Sequence, residues 1–217
     1  MLGFIGGTGA EGRGLALRFA MTGLSTFIGS REPERGLEAA ENLLSQNDGL
    51  DANLIRGGTN EEAAGECEIA IICTPYAGHK STLLGLKEAL KGKIVVDVVA
   101  PLSFQKGSIS AINVEEGSAA QQAQILMPDS KVVGAFQNIS AEDLLIPNKK
   151  IPCDVIVCSD NQSAKERIMV LGEHIPGVRS LDGGNLENAR YVEQLTALLI
   201  NINRIYKTHS SIKIMGI

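Results

Sequence analysis

The chain opens with a short apolar run, "LGFI", then "GGTGAEGRG", then the helical pattern "GRGLALRFAM". No other feature narrows the possible folds as far. Gly7, Gly9 and Gly12 take the spacing GxGxxG between a strand and a helix. In that setting each glycine has its own physical task. Gly7 permits the tight turn, and Gly9 lets the backbone come close to a pyrophosphate. Gly12 lets helix and strand pack closely, and the helix N-terminus faces negative charge.

The rest of the chain repeats this strand-helix alternation. "STFI", "EIAIIC", "KIVVDVV" and "KVVGAF" read as further strands, rich in Ile and Val on successive positions. Between them, "EPERGLEAAENLLSQ" puts Leu37, Ala40 and Leu44 on one face, with Pro33 in the first helical turn. "STLLGLKEALKG" groups Leu83, Leu86 and Leu90 and stops at Gly92. The expected fold is therefore α/β: a Rossmann-like, doubly wound, mainly parallel sheet over residues 1–147, binding a dinucleotide. Residues 148–217 read as a small C-terminal α/β extension. "CDVIVCSD" is its strand, and "SAKE" opens a helix with Ala164, Ile168, Leu171 and Ile175 on one face. A long helix follows, its Val192, Leu195, Leu199, Ile202 and Tyr206 widened by Leu198 and Ile205. One neighbouring helix would not cover so broad a stripe, and a two-fold homodimer through it is expected.

In an NAD site the second strand ends in a carboxylate that grips the adenosine ribose. "STFI" is instead followed by Gly29, Ser30 and Arg31, with Arg35 one turn further on. A hydroxyl and two guanidinium groups suit a 2'-phosphate, so the expected cofactor is NADP(H). Glu32 and Glu34 fall in the loop and first helical turn, where the helix dipole favours them. The later strand ends place Thr74, Pro75, Val99, Ala100 and Pro101 as an apolar shelf for the nicotinamide. His79 is the one histidine near that shelf and reads as a helix-surface residue. No proton-transferring constellation accompanies it, which suits direct hydride passage between two bound rings, with positioning as the protein's task and no catalytic side chain. The four cysteines show no metal-ligand spacing, and Cys73 and Cys158 read as buried, inert thiols. A net charge of -5 excludes general nucleic-acid binding. "LTALLINI" is too short to span a bilayer, and a strand starting beside Met1 points to a cytoplasmic protein without a leader.

Taken together, "GFIGGTGAEGRGLALRFA", "GSRE", "VVGAFQNISAE" and "NARYVEQLTALLININRIYK" followed by "SIKIMGI" resemble the F420H2:NADP+ oxidoreductases, nearly end to end. The resemblance implies a small cytoplasmic homodimer that binds NADP in the N-terminal fold and coenzyme F420, a deazaflavin, in a cleft roofed by the C-terminal segment. It carries NADP contacts onto Thr8, Ser30, Arg31 and Arg35, and deazaflavin contacts onto Gln137, Asn138 and Ile139. Some relatives have histidine in place of Gln137, whose amide can still donate to a ring carbonyl. A reductase of another acceptor (flavin, ferric complex, carbonyl or imine) and a non-catalytic NADP sensor are the alternatives at this stage, because fold and cofactor do not fix the second substrate.

Overall fold

The computed structural model describes residues 1–105 and 107–217. The opening apolar run is β1 (Leu2–Ile5), buried throughout, and the glycine turn leads into α1 (Ala10–Ala20). β2 (Thr26–Ser30) runs two residues past Ile28, where the apolar run ends, so Gly29 and Ser30 belong to the strand. α2 (Pro33–Gln46) begins at its proline as expected. Its inner face differs from the periodic reading: Gly36, Ala39, Ala40 and Leu43 are buried, whereas Leu37 is exposed.

The reason lies in the next strand, β3 (Ile55–Thr59), which composition hides. Its "IRGGT" has one β-branched apolar residue, so no strand pattern shows. A Cβ on Gly57 would strike the backbone of Gly36, and one on Gly36 would strike that of Gly58. Helix and strand meet backbone to backbone there, and only small residues fit the seam. α3 (Asn60–Glu66) follows, its start fixed by a capping box between Thr59 and Glu62.

β4 (Ile69–Ile72), α4 (Tyr76–Leu86) and β5 (Ile94–Asp97) come next. Leu83, Leu86 and Leu90 are all buried, the last in the turn beyond the helix. A hairpin of β6 (Leu102–Gln105) and β7 (Ser108–Ala111) precedes α5 (Ala119–Leu126), β8 (Lys131–Gly134) and the short α6 (Ala141–Leu144). β9 (Cys153–Val157), α7 (Gln162–Gly172) and β10 (Val178–Asp182) form a parallel two-stranded unit, and α8 (Ala189–Tyr206) closes the fold. Asn161 caps α7, its side chain accepting from Ala164 N.

The main sheet has the order β3-β2-β1-β4-β5-β8, parallel throughout. Winding runs outward from β1 to β3, then restarts on the other side of β1 with β4, so the switch point lies between β1 and β4. One face of the sheet is covered by α1, α2 and α7, the other by α3, α4, α5 and the start of α8. Alternation along β1 feeds both: Leu2 and Phe4 enter the first core, Ile5 the second. The first core runs unbroken from Leu2 to Val178, so residues on both sides of 147 share it. A single antiparallel bridge, Gly134 with Cys158, joins β8 to the chain just after β9.

Along α8, Val192 and Leu199 are buried, Leu195 and Ile202 half-buried, and Leu198, Ile205 and Tyr206 exposed. The broad stripe thus splits. Its inner part packs on this chain, and its outer part faces away beside the hairpin, where Asn201 Nδ2 donates to Ile109 O at 2.6 Å. Among the described residues no helix is long and apolar enough to cross a membrane.

Candidate functional site

The turn after β1 is built differently from the simple assignment of its glycines. The left-handed residue is Gly6, at φ +68°, whereas Gly7 has no positive φ. Gly7 is needed for packing instead, since a Cβ there would sit 2.6 Å from Phe4 Cβ. Gly12 closes on the same spot: its Cβ would lie 2.5 Å from Gly7 Cα. Gly9, the N-cap of α1, has open space where a Cβ would be. Two glycines make the turn compact, and the third leaves room for a ligand against helix N–H groups.

A cleft of about 620 Å³ opens over this turn at the switch point. It unites Thr8 and Gly9 with Ser30, Arg31 and Arg35 from the end of β2, and with Thr74 and Pro75 from the end of β4. Ser30 is buried, and its Oγ accepts from Glu32 N at 3.2 Å, fixing the turn from which Arg31 projects. Arg31 and Arg35 are exposed, and no carboxylate lines the cleft. Asn60, which sequence reasoning missed, ties the floor together: its Oδ1 accepts from Gly6 N at 2.8 Å. The capping box at Thr59 and Glu62 was the available signal for that helix start. Thr74 Oγ1 is buried in the cleft wall with no partner. Cys73 lines this cleft and is half-buried, not buried as its apolar run suggested. Burial, then the nearby Glu11 and Asp97 charges, push its thiol well above the usual range, so it stays a thiol. Cys158 is buried as expected, its thiol pushed up to about 11 chiefly by that burial.

A second cleft, of about 500 Å³, takes part of its lining from the first turn of the same helix, α1. Glu11 of α1 lines it, facing Gln137, Asn138 and Ile139 after β8 and Thr196 and Leu199 of α8. The Gln137 segment is held under strain. Phe136 has φ +71°, a region unfavourable to a bulky residue by about 1–3 kcal/mol. It is kept there by full burial and an edge-on contact with Phe19 at 6.2 Å between ring centroids. The two side chains this turn presents are each half-satisfied. Gln137 Nε2 donates to Asp97 O at 3.1 Å and Asn138 Nδ2 to Asp154 O at 2.8 Å. Their oxygens, Gln137 Oε1 and Asn138 Oδ1, are buried with no partner. Buried acceptors left open on a cleft wall fit a ligand with N–H donors.

The strand ends expected as an apolar shelf divide. Thr74 and Pro75 line the first cleft, but Val99 turns into the core, Pro101 is buried, and Ala100 is half-buried; none of these three lines either cleft.

His79 lies fully buried rather than on the surface of α4. Its Nε2 is 2.6 Å from Asp97 Oδ2 and its Nδ1 3.1 Å from Gln122 Oε1. Gln122 Nε2 donates to Glu116 Oε2, which fixes Oε1 toward the ring, so both ring nitrogens face acceptors. Burial alone would lower the imidazole; the Asp97 charge and these hydrogen bonds outweigh it and raise His79 to about 8. Asp97 Oδ1 also accepts from Val99 N at 3.0 Å. The pair therefore braces the end of β5 and, through Asp97 O, the Gln137 side chain. A lone histidine in that helix reads as a surface residue because nothing local in the sequence shows the Asp97 that draws it inward.

Residues 1–101 match the family profile described as NADP oxidoreductase, coenzyme F420-dependent. The F420-dependent NADP reductase of Methanothermobacter marburgensis is 41% identical over 203 residues, covering 92% of this chain and 90% of that one. That of Methanocaldococcus jannaschii is 40% identical over 212 residues, covering 95% and 94%. A crystal structure from Arthrobacter sp. FB24 superposes with TM-score 0.84 at 25% identity, covering 99% of both chains. Identity near two residues in five extends over both clefts rather than the glycine motif alone, and it makes this chain a member of the F420-dependent NADP reductase family.

Proposed function

We propose that this oxidoreductase passes a hydride directly between NADP(H) in the first cleft and coenzyme F420 in the second. The activity itself follows from membership of the family. The placement of the two ligands rests chiefly on one observation: the start of α1 contributes to both clefts, with Thr8 and Gly9 in one and Glu11 in the other. Arg31 and Arg35, in a cleft without carboxylates, support a bound 2'-phosphate, and Ser30 holds the turn that presents them. Gly9 leaves the backbone open to a pyrophosphate. Gln137 Oε1 and Asn138 Oδ1 offer acceptors to the N–H edge of a planar ring, with Ile139 beside them.

When bound, the nicotinamide gives or takes a hydride at C4 and the deazaflavin does so at C5. Such a transfer needs two stacked rings roughly 3–3.5 Å apart in a site closed to water. The chain's task is to position and exclude. Residues 1–147 serve the nucleotide, and residues 148–217 provide the α8 wall of the second cleft. We place the enzyme in the cytoplasm as a homodimer, with Leu198, Ile205 and Tyr206 of α8 against a second copy.

The test mixes the protein with NADPH and oxidised F420 and follows loss of the deazaflavin's visible absorbance, with flavin mononucleotide as a parallel acceptor. Turnover with F420 and transfer of deuterium from one C4 face of NADPH to the deazaflavin in ordinary water are expected. Turnover with flavin alone overturns the reading, and so does deuterium lost to solvent.

A further inference from the structure

Reduction of a deazaflavin by NADPH needs more than a hydride. The C4–H bond of NADPH breaks, a C5–H bond forms, and the ring takes up one proton at N1 to remain balanced. Passage of the hydride between stacked rings does not supply that proton. One side chain of the second cleft is built to be it.

Glu11 lies in the first turn of α1, where a carboxylate is normally welcomed by the helix dipole and solvated. Here its Oε1 is sealed from water and accepts no hydrogen bond from any group. Among the described residues no cation pairs with it, although Arg204, Lys207 and His209 line the same cleft. His209 is turned to Asp143 and Glu142, so it does not serve Glu11. On the other side Glu11 is close enough to Cys73 for its charge to be felt by that thiol, as is that of Asp97. An acid buried with no compensating donor keeps its proton, and burial raises Glu11 to about 8. At neutral pH it is a hydrogen-bond donor in the lining of the second cleft, which it shares with two open acceptors, Gln137 Oε1 and Asn138 Oδ1. A carboxylic acid kept neutral by its surroundings can donate a hydrogen bond and give up its proton during turnover.

We propose that Glu11 hydrogen-bonds the N1 edge of bound F420 and delivers the proton taken up at N1 as hydride reaches C5, which rests on F420 occupying the second cleft. The Glu11 O–H bond breaks, N1–H forms, and the carboxylate recovers a proton from solvent after release. In the reverse direction the carboxylate accepts the proton from N1. Hydride passage stays direct between the rings, and the acid handles only the separate proton.

Three measurements test this. On the free protein, infrared spectra over pH 6–9.5 should show a protonated-carboxyl stretch that titrates near about 8 and is lost in Glu11→Gln, while the band of buried Glu193 stays. Equilibrium titration with oxidised F420 establishes occupancy of the cleft; failure of the wild-type protein to bind sinks the parent reading and this one with it. Single-turnover kinetics then compare the wild type, Glu11→Gln and Glu11→Asp. F420 reduction by wild type should slow as pH rises through the titration, and F420H2 oxidation should accelerate over the same range. Glu11→Gln should lose about a hundredfold or more in F420 reduction and both pH limbs, with NADPH affinity within twofold, and Glu11→Asp should recover part of each. A carboxylate already ionised at pH 7, or a Glu11→Gln protein that binds F420 and keeps wild-type rates and profiles, overturns the proposal.

Discussion

Arg31 is exposed and His79 fully buried, so truncation to alanine acts on different quantities at the two positions. If Arg31 holds the 2'-phosphate as proposed, Arg31→Ala should weaken NADPH binding about ten- to a hundredfold while sparing NADH. Cofactor titrations followed by nicotinamide fluorescence check this, and equal weakening of both cofactors would assign the arginine to folding or the pyrophosphate. His79→Ala strands Asp97 in the interior. Breaking a buried pair in this way costs about 3–5 kcal/mol, visible in denaturant melts. Turnover per folded molecule should change by less than about tenfold, because the ring touches neither cleft, whereas loss of an acid or base in contact with substrate costs about 10²–10⁴.

α2 and β3 show which elements a sequence declares and which it conceals. The apolar runs of β1, β2, β4, β5 and β8 announce themselves because strands covered on both faces must be apolar throughout. β3 is silent because its glycines answer to Gly36 across the seam, a contact no local pattern encodes. The polar hairpin of β6 and β7 and the glutamine-rich α5 are silent for a related reason: their places are set by α8 and by the sheet. The first cleft was legible from the glycines and arginines because its residues lie on consecutive elements. Asn60 and the buried His79 were not, since each takes its place from a partner on another element, and Glu11 was not, since its burial comes from the cleft wall across from it. Gly57→Ala tests the seam directly. It should push α2 outward, cost about 1–3 kcal/mol, and weaken NADPH binding through Arg35, as melts and titrations would show. On α8 the exposed residues answer a different question. Ile205→Glu should yield a folded monomer by light scattering; an unchanged dimer would move the interface elsewhere.

Buried titratable groups give the protein a sloped stability profile. Glu11 and Glu193 are each raised from 4.5 to about 8, mainly by burial, and His79 from 6.5 to about 8. Each binds more protons folded than unfolded between those values, so the stability it contributes is lost as pH rises toward about 8. Asp154, held down chiefly by its hydrogen bond to Arg179, works the other way and loses its contribution only below its ordinary 3.8. Melting temperature should therefore peak at about pH 4–4.5 and fall steadily to pH 8.5, with a shallower fall in Glu193→Gln. Calorimetry in low-salt buffers checks both slopes. Arg18 adds a constraint of another kind. This fully buried residue of α1 donates from Nε to Leu144 O at 2.7 Å, and from its terminal nitrogens to the carbonyls of Asp143, Ile146 and Lys149. The first of these acceptors along the chain, Asp143 O, lies 125 residues downstream. At ribosomal speeds of about 5–20 residues per second, those carbonyls are made roughly 6–25 s after the arginine. Through that interval the helix behind the glycine turn carries a charge with nowhere to go, so the nascent chain cannot close its first core early. The first cleft is finished late, when synthesis has passed the loop that Arg18 awaits.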